Sequence, residues 1–521
     1  MKGTSRGGDL VLAVDCGTQS VKAVVLGMDG RPAAFSQKAH APNSTPAPLF
    51  VEHDAEDYWK NTRAAVGEAL ASLGKKDLAR LKAVGLTAQR GTVVPVDAAG
   101  RPTRPAIYFA DTRRNEGLPK LGGVWGALFK AMGLYSAISY VRDHSWYTWI
   151  KLNQPDIYEK TATFMQVASF LTHRLAGETA ESVGNMVGMF PFDTAHMKFF
   201  PQRGVQDIFG VRPEKLPPLK APSSVMGRVT PRASRATGIP AGLPVIVGGG
   251  DMQAAMIGMG AVEAHLGAMV LGSASILSIP SKKYVKDKKD RYFSWTSAVR
   301  GEWVLECGLK AGFTTVNWFM DEIAAPESQI AAKKGAKPEE VLEREIRKIP
   351  PGSLGLLVQP YWNPPFHRDE WARGTVLGFT LAHRRAHLYR AMLEGMIYDA
   401  REGYEAMRET AGARVSEMRV CGGGSKSDTV LDIIANVFGI PVVCMEMEEA
   451  SALGAAVCAA YGSGLFSSLG EGIARMVRPA RRFEPDAKKT GTYERLFKEY
   501  RKIYPLLTGL YRDTSDLARY G

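Results

Sequence analysis

A carboxylate at the end of an apolar strand, followed at once by glycine and hydroxyl side chains, suits phosphate and a hard cation. The run Asp15-Cys16-Gly17-Thr18-Gln19-Ser20-Val21-Lys22 has this make-up. Its aspartate can hold a magnesium ion directly or through water. Gly17 lets backbone approach an oxyanion, successive amides in such a turn form an anion-binding nest, and Thr18 and Ser20 add hydroxyl donors. A plain hairpin containing glycine has the same letters, so the motif needs company. A Walker loop is excluded, because a strand rather than a helix follows Gly17 and no G-x-x-x-x-G-K-[ST] occurs.

Two further glycine-rich turns supply that company. Gly248-Gly249-Gly250-Asp251 follows a strand and sets Asp251 at a helix N-terminus, where the helix dipole favours an ionised carboxylate. Such a group can act as an N-cap, or it can take the proton of a hydroxyl attacking a phosphoryl group. Gly422-Gly423-Gly424-Ser425-Lys426-Ser427-Asp428 lies between a strand and a helix. Its glycines leave room for a flat ring, and Ser427 or Asp428 can cap the helix or meet a ribose; the spacing is wrong for a dinucleotide fingerprint.

The elements that must position these turns follow from hydrophobic pattern. Leu10 to Val14 and Val21 to Leu26 read as strands, Asp29-Gly30 as a hairpin turn, and Ala33 to Gln37 as a third strand. Helical periodicity runs from Ala55 to Leu73, then strands at Ala83 to Thr87 and Thr92 to Val96. The pattern restarts at Pro244 to Val247, a helix at Asp251 to Gly258, and a strand–turn–strand through Ala268 to Leu271, Gly272-Ser273-Ala274 and Ile276 to Ile279. This second hairpin resembles the first without its carboxylate, a weak internal repeat that implies two similar α/β domains. A strand–loop–helix at Met418 to Phe438 and a Tyr-rich amphipathic tail (Tyr493, Tyr500, Tyr504, Tyr511) complete the chain, the tail's aromatic side packing on the second domain. Lys282 to Arg291 reads as a solvated charge run.

Composition narrows the class. The 521 residues are 45% hydrophobic and 23% charged, which excludes a disordered or coiled-coil protein. A net charge of +13 favours anionic ligands, while the spread of basic residues without an arm or aromatic-interleaved patch argues against nucleic acid. Five cysteines with no CxxC spacing imply neither a disulfide framework nor a zinc site, and fit a reducing cytoplasm. The most apolar region, Val245 to Ile279, is broken by Asp251, Glu263 and His265, so no membrane span is expected. His383 and His387 have metal-ligand spacing but lack a zinc-protease glutamate and read as structural.

Taken in order, D-C-G-T-Q-S-V-K at 15–22, G-G-G-D at 248–251, L-G-S-A-S at 271–275, H-L-Y-R-A-M-L-E-G at 387–395, G-G-G-S-K-S-D at 422–428 and E-A-S-A-L-G-A-A-V at 449–457 resemble the FGGY family of carbohydrate kinases. The resemblance implies two actin-like, ribonuclease-H-like ATPase domains with a central cleft. The first would span residues 1–257 and bind the sugar; the second would span 258–521 and bind nucleotide. It implies ATP and Mg2+ as cofactors and a small sugar, sugar acid or polyol as substrate. Asp15 would organise magnesium, and Gly17, Thr18, Gln19 and Lys22 would lie on the first phosphate hairpin. Gly272 and Ser273 would form the second hairpin, with Gly312 bordering the nucleotide and Gly423, Gly424 and Ser427 in the adenosine pocket. Asp251 would be the catalytic base, and Gln89, Arg90 and Asp111 would grip sugar hydroxyls. Arg90 and Asp111 could equally form an ion pair with each other.

Some positions depart from the family pattern. Phe109-Ala110-Asp111-Thr112-Arg113 replaces a usual Trp-x-Asp-x-Arg, Pro360-Tyr361-Trp362-Asn363-Pro364-Pro365-Phe366 replaces Gly-Glu-Arg-x-Pro, and Ala88-Gln89-Arg90-Gly91 replaces the Met-His-Gly of xylulose kinases. The rival class is a non-catalytic nucleotide-binding sensor with the same clamp. The sugar and the oligomeric state, a homodimer included, stay open.

Overall fold

The computed structural model describes residues 8–118, 122–131, 135–187, 190–201, 207–365 and 368–518; Phe366 of the replaced stretch lies outside them. The chain forms two compact units. Unit 1 holds residues 1–260, 295–302 and 451–477, and unit 2 holds 261–294, 303–450 and 478–521.

Unit 1 is built on a six-stranded sheet. Strands β1 (Leu10–Cys16), β2 (Ser20–Gly27) and β3 (Pro32–Ala39) form an antiparallel meander, after which comes helix α1 (Ala55–Ala71). Strand β4 (Leu81–Ala88), strand β5 (Ser224–Arg228), strand β6 (Pro244–Val247) and helix α2 (Asp251–Gly258) complete the frame. The order is β3-β2-β1-β4-β6-β5, with β1, β4 and β6 parallel and β5 antiparallel at the edge. All seven residues of β1 are buried, as an unbroken apolar run in a doubly covered central strand should be. Towards the edge, β3 alternates between buried and exposed positions instead.

Unit 2 repeats the plan. Its strands are β7 (Leu266–Leu271), β8 (Ser275–Ser281) and β9 (Trp303–Leu309), with helices α3 (Gly312–Glu322) and α4 (Arg385–Ala411) following. Then come β10 (Glu417–Cys421), α5 (Asp428–Phe438), β11 (Val442–Met445), α6 (Ala450–Gly462), β12 (Pro479–Phe483) and α7 (Ala487–Ala518). Six strands of a seven-stranded sheet run β9-β8-β7-β10-β11-β12, with an antiparallel trio, two parallel neighbours and an antiparallel edge; the seventh, Phe293–Thr296, lies beside β9. The hairpin similarity in the sequence is therefore one part of a repeated sheet topology.

Most of α6 belongs to unit 1, where Gly85 and Gly454 permit the contact: a Cβ on Gly85 would meet the Ala455 carbonyl at 2.2 Å, and one on Gly454 the Ala254 carbonyl at 1.8 Å. The tail helix α7 buries Tyr493, Phe497, Tyr500, Tyr504 and Tyr511 in the unit 2 core, at spacings of three, four and seven residues that keep them on one face. Lys498, Arg501 and Lys502 face solvent.

The charge run at 282–291 differs from expectation. Its lysines are exposed, but Asp287 is buried and accepts the Arg291 backbone N–H at 2.8 Å and both sides of its guanidinium at 2.9 Å. Arg291 also donates to Glu409 on α4, at 2.6 Å. The Arg291 hydrogen bonds hold the Asp287 carboxyl below its usual range despite burial. An ion pair of this kind is invisible to composition, which sees only the flanking lysines. Among the described residues, no helix is long and apolar enough to cross a membrane.

Candidate active site

Because β1, β4 and β6 are parallel neighbours, their C-terminal ends reach one edge of the unit 1 sheet. Asp15 is the last residue but one of β1, Gln89-Arg90 follows β4, and Gly248 to Asp251 follows β6. In open α/β sheets this is the edge at which ligands bind. Strands two places apart lie about 10 Å from each other, so Asp15 and Asp251 flank a space of molecular width. The Cys16 thiol reports the convergence: burial pushes it well up, followed by the charges of Asp15, Asp57 and Asp251.

The hairpin after Asp15 is closed by the Gly17 N–H donating to the Ser20 carbonyl at 3.0 Å, which leaves Thr18 and Gln19 exposed, Gly17 and Lys22 half-buried. Gln37 anchors it by donating to Ser20 Oγ at 2.8 Å. For magnesium the donors are of the right kind: hard oxygens, with one carboxylate at a turn rather than an enclosing cage, as suits an ion that keeps several waters.

Asp251 is the first residue of α2, and the N-cap is Gly250, so Asp251 is not the cap itself. Its Oδ1 accepts the Met252 N–H at 2.8 Å and lies 3.7 Å from Arg90 Nε, while 31% of the side chain remains exposed. The Arg90 stem runs directly over Gly250, where a Cβ would meet Cγ at 2.2 Å and Cδ at 2.5 Å. Glycine at 250 is what lets Arg90 reach Asp251. The ion pair of Arg90 is therefore with Asp251 and not with Asp111.

Asp111 faces inward. Its side chain has no exposure, and its oxygens accept four hydrogen bonds: from Val51 N–H at 2.7 Å, and from Arg113 backbone N–H at 3.0 Å, Nε at 2.9 Å and Nη2 at 2.7 Å. A carboxylate offers about four lone-pair sites, so all are taken. Arg113 also donates to Glu52 at 2.7 Å and lies over Phe50, 4.1 Å from the ring centre. Gln89 is 1% exposed and donates to the Tyr58 hydroxyl at 2.9 Å. A direct grip on sugar by Asp111 would require these internal partners to be given up, whereas Gln89 keeps its Oε1 without a hydrogen-bond partner.

Residues the sequence reading passed over stand closer to the edge. Tyr108 is buried with its phenol pushed up to about 12, first by burial and then by the Asp251 charge, against hydrogen bonds from the Asn43 and Thr18 side chains. It therefore links the phosphate hairpin to the Asp251 side of the site. The Phe109 ring lies tilted against it, centroids 4.4 Å apart, and the residue is 40% exposed, an apolar face such as a sugar ring or chain can cover. A tyrosine beside the expected Trp-x-Asp-x-Arg position was the available signal.

In unit 2 the parallel strands β7 and β10 likewise end together. Gly272-Ser273-Ala274 turns between β7 and β8, and the N-terminus of α3 closes on that turn: Phe313 N–H donates to Gly272 O at 3.0 Å and Thr314 N–H to Ser273 O at 3.3 Å. Gly312 is required there, since a Cβ would stand 2.4 Å from Ser275 N. Gly422 to Ser427 follows β10, with Gly423 exposed and Gly424 packed under the Phe313 ring. Thus Gly272, Ser273, Gly312 and Gly424 meet around one loop cluster. Ser427 is the N-cap of α5, accepting Val430 N–H at 3.1 Å and donating to Glu343 at 2.6 Å. Burial opposes the Glu343 charge, but hydrogen bonds from Ser427 and Thr429 hold its carboxyl below the usual range.

The two histidines with metal-ligand spacing do not share a helix face. His383 precedes α4 and accepts Thr380 N–H at 2.9 Å, and His387 accepts Arg384 N–H at 3.1 Å as part of the helix cap.

Comparison with known proteins agrees with this architecture. Residues 10–258 match the N-terminal domain, and residues 267–463 the C-terminal domain, of the FGGY family of carbohydrate kinases. The xylulose kinase of Bacillus subtilis (strain 168) is 27% identical over 503 residues, covering 95% of this chain and 96% of that protein. The autoinducer-2 kinase of Yersinia pestis bv. Antiqua (strain Angola) is 27% identical over 524 residues, 97% and 96% of the two chains. The crystal structure of ligand-bound xylulose kinase from Lactobacillus acidophilus shares the fold with a TM-score of 0.83 at 20% identity, covering 97% of this chain and all (100%) of that one. The chain belongs to the FGGY family of carbohydrate kinases and is an ATP-dependent enzyme that phosphorylates a sugar.

Proposed function

We propose that this kinase transfers the terminal phosphate of ATP to a hydroxyl of a small sugar, sugar acid or polyol, with Asp251 as general base. The observation that carries the proposal is the half-exposed Asp251 carboxylate, held at the start of α2 with Arg90 Nε 3.7 Å away, on the same sheet edge as Asp15. A carboxylate so placed can accept the proton of an attacking hydroxyl, while the guanidinium orients that hydroxyl's neighbours through paired N–H donors.

Asp15 would hold Mg2+ through water, and the ion would offset the charge of the transferring phosphate. The amides and hydroxyl of Gly17, Thr18 and Gln19, with Lys22 behind them, would receive phosphate oxygens. On unit 2, Gly272 and Ser273 would take phosphate. Gly312, Gly423 and Gly424 would leave space for the adenosine, and Ser427 would fix the loop through its cap on α5. Gln89 would accept a sugar hydroxyl through Oε1, and Asp111 would support the sugar site by fixing the segment that carries Tyr108 and Phe109. The named activities of the relatives, on xylulose and autoinducer-2, suit a substrate of this small size.

Asp251→Asn tests the assignment. Turnover with the best substrate from a panel of sugars, sugar acids and polyols should fall at least ~10²-fold, the low end for a general base, with ATP affinity unchanged. Near-normal turnover in this variant refutes the role.

A further inference from the structure

His40, His53 and Asp57 bring three ligand atoms within 4.8 Å of one another, in a place the kinase reaction does not use. His40 follows β3, His53 lies in the short strand Glu52–His53, and Asp57 is in the first turn of α1. Both imidazoles are 3% exposed and the carboxylate 11%.

Two neutral imidazoles here would both turn a lone pair towards one carboxylate oxygen. Asp57 Oδ2 accepts the Ala41 N–H at 3.1 Å and Asn61 Nδ2 at 2.8 Å. His53 Nδ1 lies 2.9 Å from Asn43 Oδ1, so a ring hydrogen sits on Nδ1 and the neutral ring carries its lone pair on Nε2. That bare nitrogen is 3.2 Å from the same Asp57 oxygen. His40 Nδ1 accepts from Asn61 Nδ2 at 3.2 Å, so it too presents a lone pair, 3.3 Å from Asp57 Oδ2. With both rings neutral, two ring nitrogens and a carboxylate oxygen converge, a gap that either a proton on one ring or a divalent ion closes.

An electrophile resolves this. Bond lengths of about 2.0–2.1 Å to zinc in a tetrahedral site place neighbouring ligand atoms about 3.3 Å apart, which matches the two measured separations. Two imidazoles and one carboxylate suit zinc rather than magnesium. The Asn43 contact is the outer hydrogen bond that metal-ligating histidines usually make. Cys16 Sγ approaches the other nitrogen of His40, at 3.8 Å, and is not a ligand.

We propose that His40, His53 and Asp57 bind one divalent ion of the zinc class, with water as fourth ligand, and that Asn61 Nδ2 withdraws from both His40 and Asp57 Oδ2 when they do. The ion pins the start of α1 to residue 40, whose N–H donates at 2.8 Å to Gln19 in the first phosphate hairpin.

The test uses the full chain, stripped with chelator and titrated with Co2+ and then Zn2+ in excess Mg2+. One equivalent of Co2+ should give the visible bands of a four-coordinate ion and be displaced by Zn2+. His53→Gln and Asp57→Asn should abolish the bands, Asn43→Ala should weaken affinity by ~10- to 100-fold, and surface His196→Gln should change nothing. In the unaltered chain, Zn2+ should shift the imidazole 15N signals of two of the nine histidines, a readout independent of variant folding. Absence of a stoichiometric site, equal uptake by Asp57→Asn, or shifts spread over other histidines overturns the proposal.

Discussion

Replacing Gly250 with alanine isolates the placement of Arg90 from everything else in the site. The backbone there, at φ −68° and ψ 174°, is open to any residue, so no strain arises from the main chain. The new methyl would stand 2.2 Å from Arg90 Cγ, 2.5 Å from Cδ and 2.9 Å from Asn185 Oδ1. Reaching ordinary contact at 3.4 Å makes the Arg90 stem retreat by about 1.2 Å, with no polar group added or removed. Overpacking of this kind costs about 1–3 kcal/mol of stability, which a unit of this size tolerates. A misplacement of ~1 Å in a positioning group costs ~10²-fold in catalysis. Steady-state kinetics should therefore show kcat/KM for the sugar lowered by about that factor, with KM for ATP unchanged and a cooperative unfolding transition retained. Gly250→Ala with unimpaired sugar kinetics would show that Arg90 does not position the acceptor.

Three other outcomes follow from the same geometry. Asp111→Ala removes the main partner of a fully buried guanidinium and should cost about 3–5 kcal/mol in urea unfolding, whereas Arg212→Ala, in an exposed pair with Glu159, should leave the urea midpoint nearly unchanged. Gly312→Ala would press a methyl onto Ser275 N and lift α3 off the second hairpin; KM for ATP should rise with sugar KM unchanged. Glu181, raised by burial to about 7 against hydrogen bonds from Asn185 and Ser182, holds its proton in the folded chain through a range in which the unfolded chain has released it near 4.5. Stability should therefore fall as pH rises from about 4.5 to 7, by at most roughly 3 kcal/mol from this group, and Glu181→Gln should flatten that slope in a Tm-versus-pH series.

The frame of the site was legible because its strands are uninterrupted apolar runs ending in glycine: Pro244–Val247 and Asp251–Gly258 fall where their letters place them. The Tyr spacing of the tail likewise specified a buried helix face. Side-chain direction was not legible. Asp111 carries a residue type that grips hydroxyls, yet Arg113 and Val51 claim its polar atoms from elsewhere in the fold, and Tyr58 takes one end of Gln89. The His40, His53 and Asp57 cluster draws on a strand end, a two-residue strand and a helix start, so no fixed spacing announces it. Burial of Asp287 depends on the adjacent core and Glu409, more than a hundred residues away.

The return of residues 451–477 to unit 1 bears on how the protein is made. Gly85 and Ala254 receive their covering backbone, and Gly248 its Cys458 neighbour, from a segment that leaves the ribosome after most of unit 2. The nascent N-terminal half must therefore wait, with one flank of its sheet uncovered, while about two hundred further residues are synthesised. Assembly is a clasp that shuts late, and a chain stopped before 451 would expose that flank to aggregation.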